Sequence, residues 1–222
     1  SIDGPPEVHD DLRGEGAYAK AFSAIEQCLE RGIRIGISGV LMAPTLESAH
    51  HLIDRAAELG MPEVSYQPFQ PEIDGWRDSS PWIFPDGARA RVEERIAELR
   101  AYAASKNVVI YTDDLLDYVP PYLFDGIRPI PPGGCYMPSR FLLVDVRGDV
   151  YPCFFMRNDV IGNVVGGDRI RDLWHNRTHT ALQLLGLASR CPGCLAACSD
   201  VASFDAHPQG QGGVGEVMAW AK

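Results

Sequence analysis

Five of the six cysteines fall in the C-terminal part of the chain, at Cys135, Cys153, Cys191, Cys194 and Cys198. Twelve residues separate Cys135 from Gly148, four more lead to Cys153, and a close group follows as Cys191-Pro-Gly-Cys194-Leu-Ala-Ala-Cys198. Thiolates are the ligands of soft metal centres, and a two-residue gap lets both sulfurs of one short turn face the same centre. The set suits an iron–sulfur cluster. Four thiolates would also close a tetrahedral zinc site, and spacing does not separate the two. Disulfides would need an oxidising compartment. No secretory signal and no apolar run of membrane length is read in the sequence, so a reducing, cytoplasmic setting and a metal centre are expected. Cys28 stands apart, in residues 17–31, where Phe22, Ile25 and Leu29 recur at helical intervals, and reads as core packing.

Something must bring these distant thiols together. In Asp145-Val-Arg-Gly-Asp-Val-Tyr-Pro-Cys153, apolar residues flank Arg-Gly-Asp in the manner of a hairpin that carries Cys153 back beside Cys135. Residues 170–175 and 178–188 read as short helices. His175 and His179 are four apart, but Asn176 and Arg177 break the helix between them. So small a unit has little core, which makes it a domain stapled by its metal.

The first half has a different rhythm. Residues 33–41 are rich in Ile and Val, 45–59 form an amphipathic helix ended by Gly60, and 63–69 alternate like a strand. A loop bearing Pro and Trp covers 70–85, long enough for a lid or a substrate loop. A long helix over 87–106 and a short apolar strand over 107–112 follow. This succession implies βαβ units with right-handed crossovers. His50 and His51 read as helix surface. Residues 117–134, rich in Pro and aromatics, are expected as a linker, and 206–222 as a flexible tail.

At 222 residues the chain can bury a sizeable core, and 45% apolar with 23% charged residues is ordinary for a globular protein. A net charge of −10 argues against nucleic acid as a partner, which calls for clustered Lys and Arg. Arg89, Arg91 and Arg95 alternate with Glu93, Glu94 and Glu98 on one helix and read as a solvated, internally paired face.

Two stretches resemble a known family. Ser1-Ile-Asp-Gly-Pro-Pro-Glu-Val-His-Asp-Asp-Leu-Arg-Gly14 resembles the fourth strand and following loop of radical S-adenosylmethionine (SAM) enzymes with a C-terminal SPASM or Twitch auxiliary-cluster domain. The C-terminal half resembles that domain in order: Cys135, the Gly-x4-Cys hairpin, Ile161-Gly-Asn-Val164, Ile170-Arg-Asp-Leu-Trp174 and the cysteine group. The resemblance implies an α/β fold, with residues 1–116 as the C-terminal half of a partial (β/α)6 barrel and 135–205 as a small α+β cluster-binding domain with a β-hairpin. It implies that SAM is cleaved to a 5′-deoxyadenosyl radical, which takes a hydrogen from a peptide or small-molecule substrate near an auxiliary 4Fe–4S cluster. A flavodoxin or ferredoxin would supply electrons.

The family's hallmark, three cysteines spaced three and two apart after the first barrel strand, is not in this sequence. Cys191, Cys194 and Cys198 run two then three, at the other end of the fold. The chain is therefore expected to be the C-terminal part of a longer enzyme, inactive by itself, whose other half carries SAM's own 4Fe–4S cluster. Five thiolates supply one auxiliary cluster, not two. By resemblance to the single-cluster pattern its ligands are Cys135, Cys153, Cys191 and Cys194, with Cys198 within reach. Phe154 stands where the related sulfatase-maturing enzymes have an aspartate that serves as a base, which puts formylglycine-forming chemistry in doubt. The resemblance also implies cofactor contacts from Ser1 and Asp3 at the end of the fourth strand, from Arg13 in His-Asp-x-x-Arg, and from Ser38 on the fifth. The competing reading is a non-catalytic iron–sulfur or zinc-binding module that acts as a partner subunit.

Overall fold

A computed structural model describes residues 1–70, 81–127, 135–156, 158–187 and 194–195. They divide into two units, Ser1–Ile127 and Arg128–Lys222. Among the described residues no helix is long and apolar enough to cross a membrane.

The first unit is built on a parallel sheet of β1 (Ile37–Leu41), β2 (Glu63–Pro68) and β3 (Val109–Ile110), in that order. Register runs from Ile37 opposite Val64 to Leu41 opposite Pro68, and Val64 lies opposite Ile110. Burial alternates along β1 and β2, as the period of a strand requires. β3 is short, but Thr112 beyond it prolongs the pairing with its side chain. Its hydroxyl accepts from the N–H of Tyr66 at 2.9 Å and donates to the Tyr66 carbonyl at 2.8 Å.

The chain start lies against β1, where the N–H of Ile2 donates to the Ser38 carbonyl at 2.8 Å. Gly39 permits this approach. A Cβ there would lie 2.8 Å from Leu52 Cδ2 and 2.9 Å from the Ile2 carbonyl oxygen.

Helices α1 (Pro6–Arg13) and α2 (Ala17–Glu30) follow the first extended residues, and the His-Asp-x-x-Arg segment forms the second half of α1. His9 is buried and its Nδ1 accepts the N–H of Asp3 at 3.1 Å. Asp10 accepts the N–H groups of Gly16 at 2.8 Å and Tyr18 at 2.7 Å, covering donors that the first turn of α2 leaves open. Cys28, expected in the core, is half-buried on α2.

α3 (His51–Glu58) buries Leu52, Ile53 and Ala56. The sequence reading of 45–59 as one helix is divided here, with a 3-10 turn over Leu46–Ser48 preceding α3. His50 is exposed, but His51 is not simply helix surface: it is half-buried and bonds the Tyr18 hydroxyl at 2.7 Å. α4 (Arg89–Ser105) buries Val92, Ile96, Leu99 and Ala103, one stripe of a 3.6-residue period. Beyond α5 (Asp113–Leu116), α6 (Val119–Phe124) occupies part of the expected linker. Its Val119 and Tyr122 are buried, so this stretch packs as part of the first unit.

The second unit holds an antiparallel sheet of β4 (Leu143–Val144), β5 (Asp149–Tyr151) and β6 (Gly162–Asn163), then α7 (Ile170–Leu173) and α8 (Arg177–Leu187). Asp145 fixes the turn between β4 and β5. Its Oδ1 accepts the N–H of Arg147 at 2.8 Å and of Asp149 at 3.0 Å, and Gly148 supplies the φ of 84° that the turn requires. Val150, Ile161, Leu173 and Leu182 form the core.

Gly39→Ala is expected to destabilise the chain by about 1–3 kcal/mol, because backbone and a packed leucine bound the site; urea denaturation measures it. A second expectation concerns pH. Burial lowers the pKa of His9, opposed by Asp3 and Asp10 and assisted by Arg13. The native state therefore disfavours the charged ring. The stability this contributes is present above about pH 6.5 and is lost as pH falls below it toward the lowered native value. The urea midpoint should fall through that window, with a smaller fall in His9→Gln.

Candidate functional site

In a parallel sheet the carboxyl ends of the strands converge on one side, and loops there enclose a cavity. In the first unit Val40 and Met42 come from the end of β1, Phe69 follows β2, and Asp3 ends the extended segment beside β1. With Leu12, Arg13 and Trp82 they line a cavity of about 350 Å³.

One wall is charged. Asp3 is 2% exposed, yet both of its oxygens are satisfied: Oδ2 accepts from Arg13 Nε at 2.5 Å and Oδ1 from the Val40 N–H at 3.1 Å. The pair fixes the guanidinium at the cavity, its side chain 43% exposed. A guanidinium has further donors, whose fork geometry fits a carboxylate or a phosphate. Phe69 and Trp82 make the apolar wall, ring edge against face at 5.7 Å and 89°. The Trp82 carbonyl accepts the N–H of Ala43 at 3.0 Å, which ties the wall to the end of β1.

Of the four residues expected at a cofactor, Asp3 and Arg13 line this cavity. Ser38 lies half-buried on β1 and Ser1 is exposed, both outside the lining. Met42 and Phe69 were not foreseen, since apolar residues at strand ends look like core, whereas Trp82 belongs to the 70–85 loop expected as a lid or a substrate loop. Residues 71–80 of the expected substrate loop lie outside the described residues.

The second unit holds the thiols. Cys135 enters a 3-10 turn (Met137–Ser139); its N–H donates to the Gly186 carbonyl at 2.9 Å and its sulfur accepts the Met137 N–H at 3.5 Å. Cys153 lies two residues beyond β5, half-buried. Burial pushes its thiol pKa up. Bonds from the backbone N–H groups of Phe155 and Met156 oppose the rise, and the charge of the nearby Cys135 adds to it. Each half-buried sulfur thus has backbone N–H dipoles aimed at it, an environment that fits a thiolate bound to a soft metal.

Cys194 is half-buried, beside the fully buried Leu195. Cys191 and Cys198 lie outside the described residues. Among the described residues no group of three or more His, Cys, Asp or Glu side chains is gathered around a metal position.

A helix break is present but earlier than expected: it covers residues 174–176, with His175 at a φ of 65°, and Arg177 already begins α8. What sequence reasoning missed is that His179 is fully buried and bonds to the Pro138 carbonyl. The one signal for it was a histidine on the same face of α8 as Leu182 and Gly186.

Residues 135–199, which include all five of these cysteines, match the SPASM family, an iron–sulfur cluster-binding domain. An S-adenosyl-L-methionine-dependent 2-deoxy-scyllo-inosamine dehydrogenase of Niallia circulans is 35% identical over 68 residues, 27% of this chain and 27% of that protein. Among solved structures, hexahistidine-tagged anSMEcpe with bound AdoMet superposes with a TM-score of 0.54 at 17% identity, over 90% of this chain and 56% of that one. Native anSMEcpe with bound AdoMet and the Kp18Cys peptide gives 0.55 at 17% identity, over 84% of this chain and 52% of that one. At such identity the likeness is one of fold. The chain spans about a quarter of the curated relative and just over half of the solved chains. Residues 135–199 are thus a SPASM iron–sulfur cluster-binding domain, in a chain whose mixed α/β fold is similar to that of these AdoMet-bound structures.

Proposed function

We propose that this chain is the substrate-binding and auxiliary-cluster part of a radical SAM enzyme, incomplete without the half that carries SAM's own cluster. In this reading the first unit is the C-terminal part of a partial (β/α)6 barrel, and the second holds one 4Fe–4S cluster. The ligands are Cys135, Cys153, Cys191 and Cys194, with Cys198 as the further thiolate within reach. The observation that carries it is the match of residues 135–199 to a cluster-binding domain over all five cysteines. The nearness of Cys135 to Cys153, eighteen positions apart in sequence, supports it. When bound with full thiolate ligation, such a cluster supplies electron transfer.

In the first unit, Arg13 would receive the carboxylate of SAM, held in position by Asp3, and Phe69 and Trp82 would bound the same cavity. Ser1 and Ser38, outside the lining, are weaker members of the set. The substrate is a peptide or a small molecule. A peptide accompanies AdoMet in some of the anSMEcpe structures, whereas the Niallia circulans relative is named for its action on an inosamine. Phe154 bears on the choice. It is 41% exposed, its ring 6.0 Å from Phe141, so the position after the hairpin cysteine offers no proton acceptor. That weighs against sulfatase maturation and favours oxidation of a small molecule or another peptide.

Two outcomes test the reading. Anaerobically prepared chain should hold about four irons and four sulfides with a broad visible thiolate-to-iron band, lost in Cys191→Ala; about one zinc without sulfide would overturn it. In the full-length enzyme, Arg13→Lys keeps a charge beside Asp3 but loses the planar fork. It should weaken SAM binding about tenfold, or about 1.4 kcal/mol, by calorimetric titration. Unchanged affinity would move the cofactor away from Arg13.

A further inference from the structure

Cys135 has no regular element of its own. It stands at the head of a turn, and its place depends on what grips that turn. Both grips come from α8. At one end the Cys135 N–H donates to the Gly186 carbonyl at 2.9 Å. At the other, the Pro138 carbonyl accepts from His179 Nε2 at 2.6 Å, forty-one positions on in sequence, and more distantly from Gln183 Nε2 at 3.3 Å.

The histidine is itself held. Its Nδ1 accepts the N–H of His175 at 2.9 Å, so the ring carries its hydrogen on Nε2, toward Pro138. The Asn176 side chain accepts the His179 N–H at 2.7 Å, and the Trp174 ring meets the imidazole edge to face at 5.5 Å. His179 is 0% exposed. Gly186 leaves no slack, since a Cβ there would lie 3.0 Å from the Cys135 carbonyl oxygen and 3.1 Å from Pro138 Cγ. Between the two grips the Met137 N–H is directed at Cys135 Sγ.

We infer that His179 is a positioning residue for the metal centre: by holding the Pro138 carbonyl it sets where Cys135 presents its sulfur and where the Met137 N–H meets it. The inference rests on the proposed role of Cys135 as a ligand. Partners of this kind, one shell beyond the ligands, typically change metal affinity by about 10- to 100-fold when removed. An N–H bond to a ligand sulfur also favours the reduced, more negative cluster.

The test uses the whole chain, reconstituted anaerobically, as wild type, His179→Ala, His179→Gln and Leu173→Ala. Leu173→Ala loosens the core formed with Val150, Ile161 and Leu182, to which His179 does not belong, and so reports what lost stability alone does to the centre. Each is read by iron retention against a chelator, by reduction potential and by thermal unfolding. His179→Ala is expected to hold iron about 10- to 100-fold more weakly and to shift the cluster to lower potential. His179→Gln, whose amide can still donate to Pro138, should recover most of both. Leu173→Ala should lose thermal stability while retaining iron and potential.

Equal losses in His179→Ala and Leu173→Ala at matched stability would overturn the inference, as would wild-type retention in His179→Ala. A wild type that takes zinc in place of iron would overturn the cluster reading alone, and zinc release across the same series would then decide the role of His179. A wild type that holds neither metal would overturn both.

Discussion

Thiolates repel one another, and a soft metal centre needs several of them within a few ångströms. Burial makes ionisation of Cys153 harder, and the nearby Cys135 adds to the effect. The surrounding backbone offsets this. N–H groups of Met137, Phe155 and Met156 point at the two sulfurs, and each requires a turn of particular shape. Much of the second unit serves those turns. The Asp145 carboxylate shapes the bend before β5, which delivers Cys153. Gly162 admits Leu173 so closely that a Cβ would lie 2.5 Å from its Cδ2, which seats α7 against the sheet. α7 leads into α8, and α8 holds the turn of Cys135. Under the proposed ligation a metal would complete the balance, because its charge would cancel what the dipoles only reduce.

The first unit solves the opposite problem, a carboxylate with almost no water. Asp3 is tolerated at 2% exposure because Arg13 and the Val40 N–H satisfy it, and a buried charge without such partners would cost several kcal/mol. The consequence reaches the cavity. Asp3 holds Arg13 in one orientation, so the guanidinium is already ordered and would lose little entropy on binding the proposed ligand. The His-Asp-x-x-Arg segment makes this possible in three ways. His9 takes the Asp3 N–H, Asp10 caps α2, and Arg13 closes the pair. Three polar residues within one short helix fix the end of the neighbouring extended segment.

The sheet and helices were legible because burial imposes a period. The stripe Val92, Ile96, Leu99 and Ala103 and the alternation along β2 are visible in the sequence without any knowledge of partners. The boundaries were less so. Residues 45–59 read as one helix because their apolar period is continuous, yet the chain opens with a 3-10 turn in which the Thr45 hydroxyl donates to the Val40 carbonyl at 2.6 Å. A side chain that bonds backbone competes with the helix locally, and periodicity does not register that competition. Residues 119–124 were hidden for a related reason. Pro120 and Pro121 suggest a linker, but proline is tolerated in the first turn of a helix, and the apolar neighbours that looked like loop are packed.

The site was legible where chemistry restricts residue type and opaque where geometry alone does the work. Cysteines announce themselves, since few other roles explain five of them at such spacings. Arg13 and Asp3, which line the cavity, were singled out through the family resemblance of residues 1–14. His179 was not, although its period places it on the buried face of α8 with Leu182 and Gly186. A histidine on an apolar face says that a partner exists without saying which, and the partner here is a backbone carbonyl, which has no letter in the sequence. Gly39 and Gly186 are opaque in the same way. Each is defined by an atom that comes too near for a Cβ, the Ile2 carbonyl in one case and the Cys135 carbonyl in the other. Residues that act on main chain leave no complementary residue to look for, so the thiols can be read from sequence while the parts that hold their turns emerge only in three dimensions.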